Sequence, residues 1–236
     1  MKNLFKKVSA ILMAAIMVLS MCATVFAAIP SEGDTADAVV HNVEAGATVN
    51  AYQITKAKYD PNGKGFLGYE AVEGVTLANV LAPTSDEVAA IVNSNLASLP
   101  TQAMTPAGTE GLVDYTAKLA PGYWIVIVSG TVNKVYNPML LGVAYSETDN
   151  KMTADPVYAN GNWTLSGEAY AKSTAPSIDK KITGSTTADG KKDTTDTNLN
   201  EKGNDVAIGD IVNYEITTHI PSYSKQYSEV IVNISD

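Results

Sequence analysis

The chain has 236 residues, 16 lysines against 25 acidic side chains, no arginine, a single cysteine and a formal charge of −9. An acidic chain without arginine lacks both the positive field and the side chain best matched to phosphate, which excludes a nucleic-acid binder. One cysteine cannot build a disulfide framework, so stability must come from core burial or from another kind of crosslink.

Residues 1–27 read as a secretory signal peptide. Lys2, Lys6 and Lys7 precede an apolar stretch from Val8 to Met21, and Val25-Phe26-Ala27 offers a processing site, with cleavage expected after Ala27. The other reading is a retained N-terminal anchor, which the basic flank, length and processing site disfavour. Met21 stands where lipid attachment at Cys22 would want a small residue. Cleavage removes Cys22 and three lysines, leaving 13 lysines against 25 acidic residues and a charge of −12.

From Ala38 to Tyr59 the chain alternates and is rich in Val, Thr and Tyr, then meets Asp60-Pro61-Asn62-Gly63-Lys64-Gly65, which predicts strands and a turn. A helix follows Pro83. Thr84 and Glu87 form a capping box, and Val88, Ile91, Val92 and Leu96 recur on one face. After Pro100 the β pattern resumes over Leu112 to Lys118, Tyr123 to Val128 and Met139 to Tyr145. The second of these runs is apolar on both faces and predicts a central strand. Short strands at regular spacing predict a β-sandwich with one inserted helix, spanning residues 28–172.

Residues 173–236 begin a second sandwich. Pro176 to Ile182 reads as a strand, Gly184 to Asn204 as a polar surface loop, and Asp205 to Thr218 as a strand that Pro221 ends. About three strands are fewer than a sandwich needs, so the sequence is expected to be a piece of a longer protein.

At the junction of the two units, Trp163 stands nine positions ahead of Lys172, with Tyr170 between them. Read from the residues alone, this is an amphipathic strand ending in a solvated lysine, or an exposed amine placed to accept an acyl group. The spacing resembles the pilin motif of sortase-assembled Gram-positive backbone pilins. Gly167 and Ala169 stand where that motif prefers Val, and Ala171 where it prefers Pro. Without the proline, Lys172 is expected to be less rigidly presented. Gly46 to Gln53, Ala120 to Trp124, Tyr136 to Met139 and Gly209 to Ile216 resemble the same family in its order.

The resemblance implies an all-β protein of tandem immunoglobulin-like sandwiches of the collagen-adhesin type, displayed at the cell surface in a pilus attached to the wall. It implies a class C sortase and other copies of the same subunit as partners, together with minor pilins and host-surface ligands. By position, Lys172 is the acceptor of the intermolecular isopeptide bond. No sortase recognition pentapeptide, membrane stretch or basic tail stands after the second unit, and no E-box is visible.

Family members also carry spontaneous internal Lys-Asn isopeptide bonds. That chemistry needs an amine kept neutral by burial, a protonated carboxylic acid to polarise the carboxamide, and rigid strands that hold them together. Alternation in Ile178-Asp179-Lys180-Lys181-Ile182 puts Lys180 on the face of the two isoleucines. The same rule over Val230 to Asp236 aligns Asp236 with Val230, Val232 and Ile234, making Asp236 the candidate acid and Glu215 the runner-up. The other reading is an exposed lysine pair and a strand-end aspartate. The asparagine would lie beyond Asp236. In the first unit Lys56 and Lys58 sit at a strand end where both can snorkel, so no internal crosslink is expected there.

Other chemistries find little support. His41 and His219 are far apart and have no second ligand nearby, and surface or strand positions explain them. Asp196 to Asn200 begins like a calcium loop, but Glu201 occupies the position that needs glycine. No phosphate loop, dinucleotide fingerprint or nucleophile elbow occurs, and no cofactor is expected. Tyr52, Tyr69 and Tyr115 suit cross-strand pairing better than a sugar platform. A structural polymer subunit is the leading reading. A surface adhesin for host matrix or carbohydrate on the same scaffold is the alternative, and a secreted enzyme has no supporting constellation.

Overall fold

A computed structural model of the protein describes residues 30–31, 33–62, 65–94, 96–159, 162–186, 188, 190, 192–193, 208–222 and 229–234. The signal peptide, most of the polar run after Gly184, the calcium-like stretch at Asp196 and the candidate acid Asp236 lie outside them.

The first unit opens with β1 (Ala36–Glu44), β2 (Thr48–Gln53), β3 (Thr55–Tyr59) and β4 (Phe66–Ala71), followed by helix α1 (Ser85–Asn93). Strands β5 (Thr101–Ala103), β6 (Thr105–Pro106), β7 (Leu112–Leu119), β8 (Gly122–Ser129), β9 (Val135–Tyr136) and β10 (Met139–Ser146) come next. Short segments complete it: β11 (Lys151–Thr153), β12 (Tyr158–Ala159), β13 (Asn162–Trp163), β14 (Glu168–Tyr170) and β15 (Ser173–Thr174). The chain then enters β16 (Ser177–Thr186), β17 (Lys192–Asp193) and β18 (Ile211–His219).

Two sheets form the sandwich, a four-stranded one in the order β14-β1-β7-β6 and a five-stranded one in the order β11-β10-β8-β2-β5. Alternation dictates what lies between them. Val40 and Val43 from β1 and Tyr115 and Leu119 from β7 meet Val49, Ala51, Trp124, Val126 and Leu141 from the opposing sheet. Each fully buried aliphatic side chain contributes roughly 1.5–3 kcal/mol. A surface pair such as Lys118 to Asp37, at 2.8 Å with both side chains largely exposed, contributes about 0–1 kcal/mol. Core burial therefore decides the fold, as the lack of disulfides requires.

Strand β8 is central, between β10 and β2, and is buried along nearly its whole length. Its even-numbered residues Trp124, Val126 and Val128 enter the sandwich core. Its odd-numbered residues Tyr123, Ile125 and Ile127 pack on a second cluster with Ile91, Val92, Leu96 and Leu99. The inserted helix thus covers the outer face of the central strand. Its start is fixed by the expected capping box: Glu87 N–H donates to the Thr84 hydroxyl at 3.3 Å, and the Glu87 carboxylate accepts from Thr84 N–H at 2.7 Å. The same carboxylate also accepts from Ala78 N–H at 2.6 Å, and these backbone donors, Ala78 first, lower its pKa.

Two tyrosines of the sequence reading have structural roles. Tyr115 is buried and its hydroxyl donates to the carbonyls of Glu44 and Ala47. Tyr69 stacks on Tyr123 and accepts from Tyr145 N–H at 2.9 Å, with burial pushing its phenol up to about 12.

In the second unit β16 pairs antiparallel with β18 from Ser177↔His219 to Thr186↔Ile211, and β17 takes the other edge of β16. The alternation at Val230 suggested a further strand. Residues 229–234 instead belong to no strand, and Val230, Ile231, Val232 and Ile234 are exposed. Alternation supplies a face, but a strand also needs a partner edge, and no described strand pairs with this segment.

Candidate functional site

The approach to Lys172 is built by close packing. Val157 N–H donates to the Thr164 hydroxyl and Thr164 N–H to the Val157 carbonyl, both at 2.8 Å, which closes the loop carrying β12 and β13. At its end Tyr158 and Trp163 are cross-strand partners with rings edge to face at 5.4 Å, both largely exposed. The chain then crosses β10. Gly142 N–H donates to the Ser166 carbonyl at 2.8 Å and Gly167 N–H to the Ala154 carbonyl at 2.7 Å. A Cβ on Gly167 would stand 2.6 Å from the Ala154 methyl carbon. The motif's preference for valine at this position is therefore overridden by the packing of this chain.

Beyond Gly167 the chain runs as β14, parallel to β1, with Val39↔Glu168, Val40↔Ala169 and His41↔Tyr170 in register. The pairing is closed at one end by Val39 N–H to the Gly167 carbonyl at 2.8 Å and at the other by Ala171 N–H to the His41 carbonyl at 3.0 Å. After Lys172 the chain changes partner. Asn137 N–H donates to the Lys172 carbonyl at 2.9 Å, and β15 pairs antiparallel with β9, Ser173↔Tyr136 and Thr174↔Val135. Val135 and Tyr136 are themselves buried.

Lys172 is thus held by its backbone on both sides while its side chain is exposed. No ion pair engages it among the described residues. The lost proline was expected to loosen this position. At this position Ala171 supplies an N–H that proline lacks, and that N–H donates to the His41 carbonyl where a proline ring would make no such bond. An Ala171→Pro variant is accordingly expected to lose about 1 kcal/mol. That loss should be read as a melting temperature lower by roughly 2–4 °C; an unchanged melting temperature would show that this bond contributes nothing.

His41, expected only to occupy a surface or strand position, stands on β1 with its imidazole in contact with both β7 and β14. Its Nδ1 lies 2.8 Å from Asp114 Oδ1 on β7 and its Nε2 lies 3.0 Å from Glu168 Oε1 on β14. The ring stacks on Tyr170 at 4.6 Å, and the Tyr170 hydroxyl donates to Glu168 Oε1 at 3.1 Å. The hydrogen bond to Asp114 raises the His41 pKa above 6.5; burial is the next largest effect and opposes it, while the Asp114 charge and the hydrogen bond and charge of Glu168 add smaller increases. Hydrogen bonding to Glu168 raises the Tyr170 phenol. The partners of His41 lie 73 and 127 residues away in sequence. No local signal could have joined them.

In the second unit the register puts Lys180 opposite Ile216 and Ile182 opposite Tyr214, so Lys180 shares a face with Ile178, Ile182, Tyr214 and Ile216. Its Nζ stands 4.5 Å from the centre of the Tyr214 ring. This face is exposed. Glu215 lies on the opposite face, 2.7 Å from Lys181, and the hydrogen bond between them raises the Lys181 pKa. Glu215 and Lys180 are therefore not brought together, and Asp236 lies outside the described residues. Lys56 pairs across the β3–β4 hairpin with Glu70 at 3.3 Å.

The chain is similar to known surface proteins. The T6 antigen Ig-like domain family matches residues 33–173. The trypsin-resistant surface T6 protein of Streptococcus pyogenes serotype M6 is 32% identical over 208 residues, 87% of this chain and 36% of that protein. A solved structure of the T6 backbone pilin of serotype M6 Streptococcus pyogenes is described as modular and three-domain, with variable loops and extensions. It is 30% identical with a TM-score of 0.52, covering 83% of this chain and 37% of that one. The chain therefore spans little more than a third of the length of these relatives.

Proposed function

This chain belongs to the T6 antigen Ig-like domain family, and we propose that it is part of a backbone subunit of a covalently polymerised surface pilus. The observation that carries the reading is the double tethering of the backbone around an exposed primary amine at Lys172. Lys172 is the acceptor in this proposal. A class C sortase presents the C-terminal acyl group of another subunit bound to the enzyme's own nucleophile; the Lys172 amine attacks its carbonyl, the C–N amide bond forms as the acyl–enzyme bond breaks, and the proton lost by the amine goes to the departing nucleophile of the enzyme. Fixing the acceptor in one geometry replaces the entropy of encounter that a mobile lysine would have to lose. The subunit itself is the substrate, not the catalyst. Its partners are further copies of itself, the sortase, minor pilins and host-surface ligands, and it acts at the cell surface.

The domain reading keeps a first sandwich at 28–172 and a second beginning at 173. Lys180 is the proposed internal isopeptide lysine of that second sandwich, with Asp236 as the acid. The supporting feature is that Lys180 shares a face with Ile178, Ile182 and Ile216, so a second sheet laid over that face would bury the amine and favour its neutral form. Intact-mass measurement on protein that carries the complete second domain tests it. The expected mass is short by one ammonia, and Lys180→Ala should restore the full unmodified mass; a wild-type domain already at full mass would refute the crosslink.

A further inference from the structure

We infer that His41 is the positioning residue for Lys172: it bridges Asp114 on β7 and Glu168 on β14 and so fixes the backbone from which the acceptor amine projects. The inference rests on the reading of Lys172 as the acceptor. It begins with a β-bulge. The register between β1 and β7 shifts between Val40 and Val43, and Asn42 takes a φ of 64°. Ala38, Val40 and Val43 all point into the core, so the extra residue leaves His41 and Asn42 together on the outer side. A bulge is a device that re-aims a side chain, and here it turns the imidazole across the seam toward β14.

Apart from the hydrogen bond to Asp114, the contacts of that imidazole fall on the segment before Lys172. Its ring packs on Tyr170, two residues ahead of the amine, and its Nε2 meets Glu168. The carbonyl of the same residue accepts from Ala171 N–H, directly before the amine. Strand β14 contributes only three residues of pairing. Such a short parallel segment is weak alone, and a side-chain bridge to β7 is what ties it into the sheet.

The bridge depends on the charge state of the imidazole. The titratable groups facing it are Asp114 from β7 and Glu168 and Tyr170 from β14. On β1 itself, Asp37 pairs with Lys118, and Glu44 accepts from Asn133 and Tyr136. The imidazolium donates two N–H groups and satisfies both carboxylates at once. Neutral imidazole keeps one N–H and must leave one carboxylate unsatisfied. Since the folded-state pKa lies above the ordinary 6.5, the bridge is complete below that ordinary value and is lost as pH rises through the raised one.

The test uses the wild-type chain, His41→Gln and Lys172→Ala as acceptors for one acyl-donor peptide and one class C sortase that acts on the wild-type chain. Ligation at Lys172 is followed from about pH 5 to about pH 9. The ratio of wild-type to His41→Gln rates cancels the enzyme's own pH dependence. The expected ratio is several-fold below the imidazole titration and falls toward one above it. A ratio of one throughout, or a raised ratio that does not change with pH, would overturn the role of His41 while leaving Lys172 as acceptor. A Lys172→Ala chain ligated as fast as wild type would overturn the acceptor reading and this inference with it. Amide exchange gives a readout without the enzyme. After correction for intrinsic rates, the Ala171 amide of the wild type should lose protection across the imidazole titration and that of His41→Gln should show no step; identical profiles would sink the proposal.

Discussion

Cells that express the full-length gene with Lys172→Ala are expected to yield monomeric subunit in wall extracts and no high-mass ladder. The effect is all or none because the substitution removes the proposed nucleophile and leaves the fold alone. Lys172 is exposed, and what holds it is backbone: the Ala171 amide, the Lys172 carbonyl and the pairing of β15 with β9. Alanine keeps each of these bonds. Four of the other described lysines already have side-chain partners. Lys56, Lys118 and Lys181 are engaged by Glu70, Asp37 and Glu215, and Lys180 stands over the Tyr214 ring. Lys172→Arg should behave like the alanine variant, since it keeps the charge but not the nucleophile. Persistence of the ladder in either variant would show that another side chain carries the linkage.

A Gly122→Ala chain is expected to be the least stable of the simple variants. Gly122 has a φ of +133°, a region that side-chain-bearing residues avoid, and its missing Cβ would land on the Thr55 carbonyl oxygen. Neither atom can yield. Gly122 begins the central strand, and Thr55 is fully buried, with its hydroxyl accepting from Tyr123 N–H at 2.8 Å. Backbone strain of roughly 1–3 kcal/mol adds to an overpacking cost of similar size. Against a total stability of about 5–15 kcal/mol this is a large share, and a melting temperature lower by on the order of 10 °C is expected. Gly46→Ala is the control: its φ is +86° but its Cβ would meet open space, so only the backbone cost applies. Equal losses for the two variants would show that the clash at Thr55 is relieved by relaxation.

What could be read from the sequence followed from local periodicity. The two-sided apolar run at Tyr123 marked a strand buried on both faces, because nothing but burial on each side explains alternate and intervening residues that are all apolar. The capping box located the helix start to the residue. The spacing from Trp163 to Lys172 drew attention to an amine that the structure places, exposed, between two strand pairings. What remained illegible is long-range. The partners of His41 are brought together by the meeting of three strands distant in sequence, so a lone histidine in an alternating run carried no sign of them. Ala171 looked like the loss of a proline because its amide's acceptor, His41, lies on another strand. At Val230 the alternation was real, but pairing is a property of two segments and only one was visible.

The change of partner at Lys172 has a mechanical consequence. A pull on its side chain enters the polypeptide between β14 and β15, one anchored on β1 and the other on β9. The load divides at its point of entry. Along the parallel β14–β1 seam, traction in line with the strands strains several hydrogen bonds together in shear, instead of unzipping them singly, and such a seam yields only when they fail as a group.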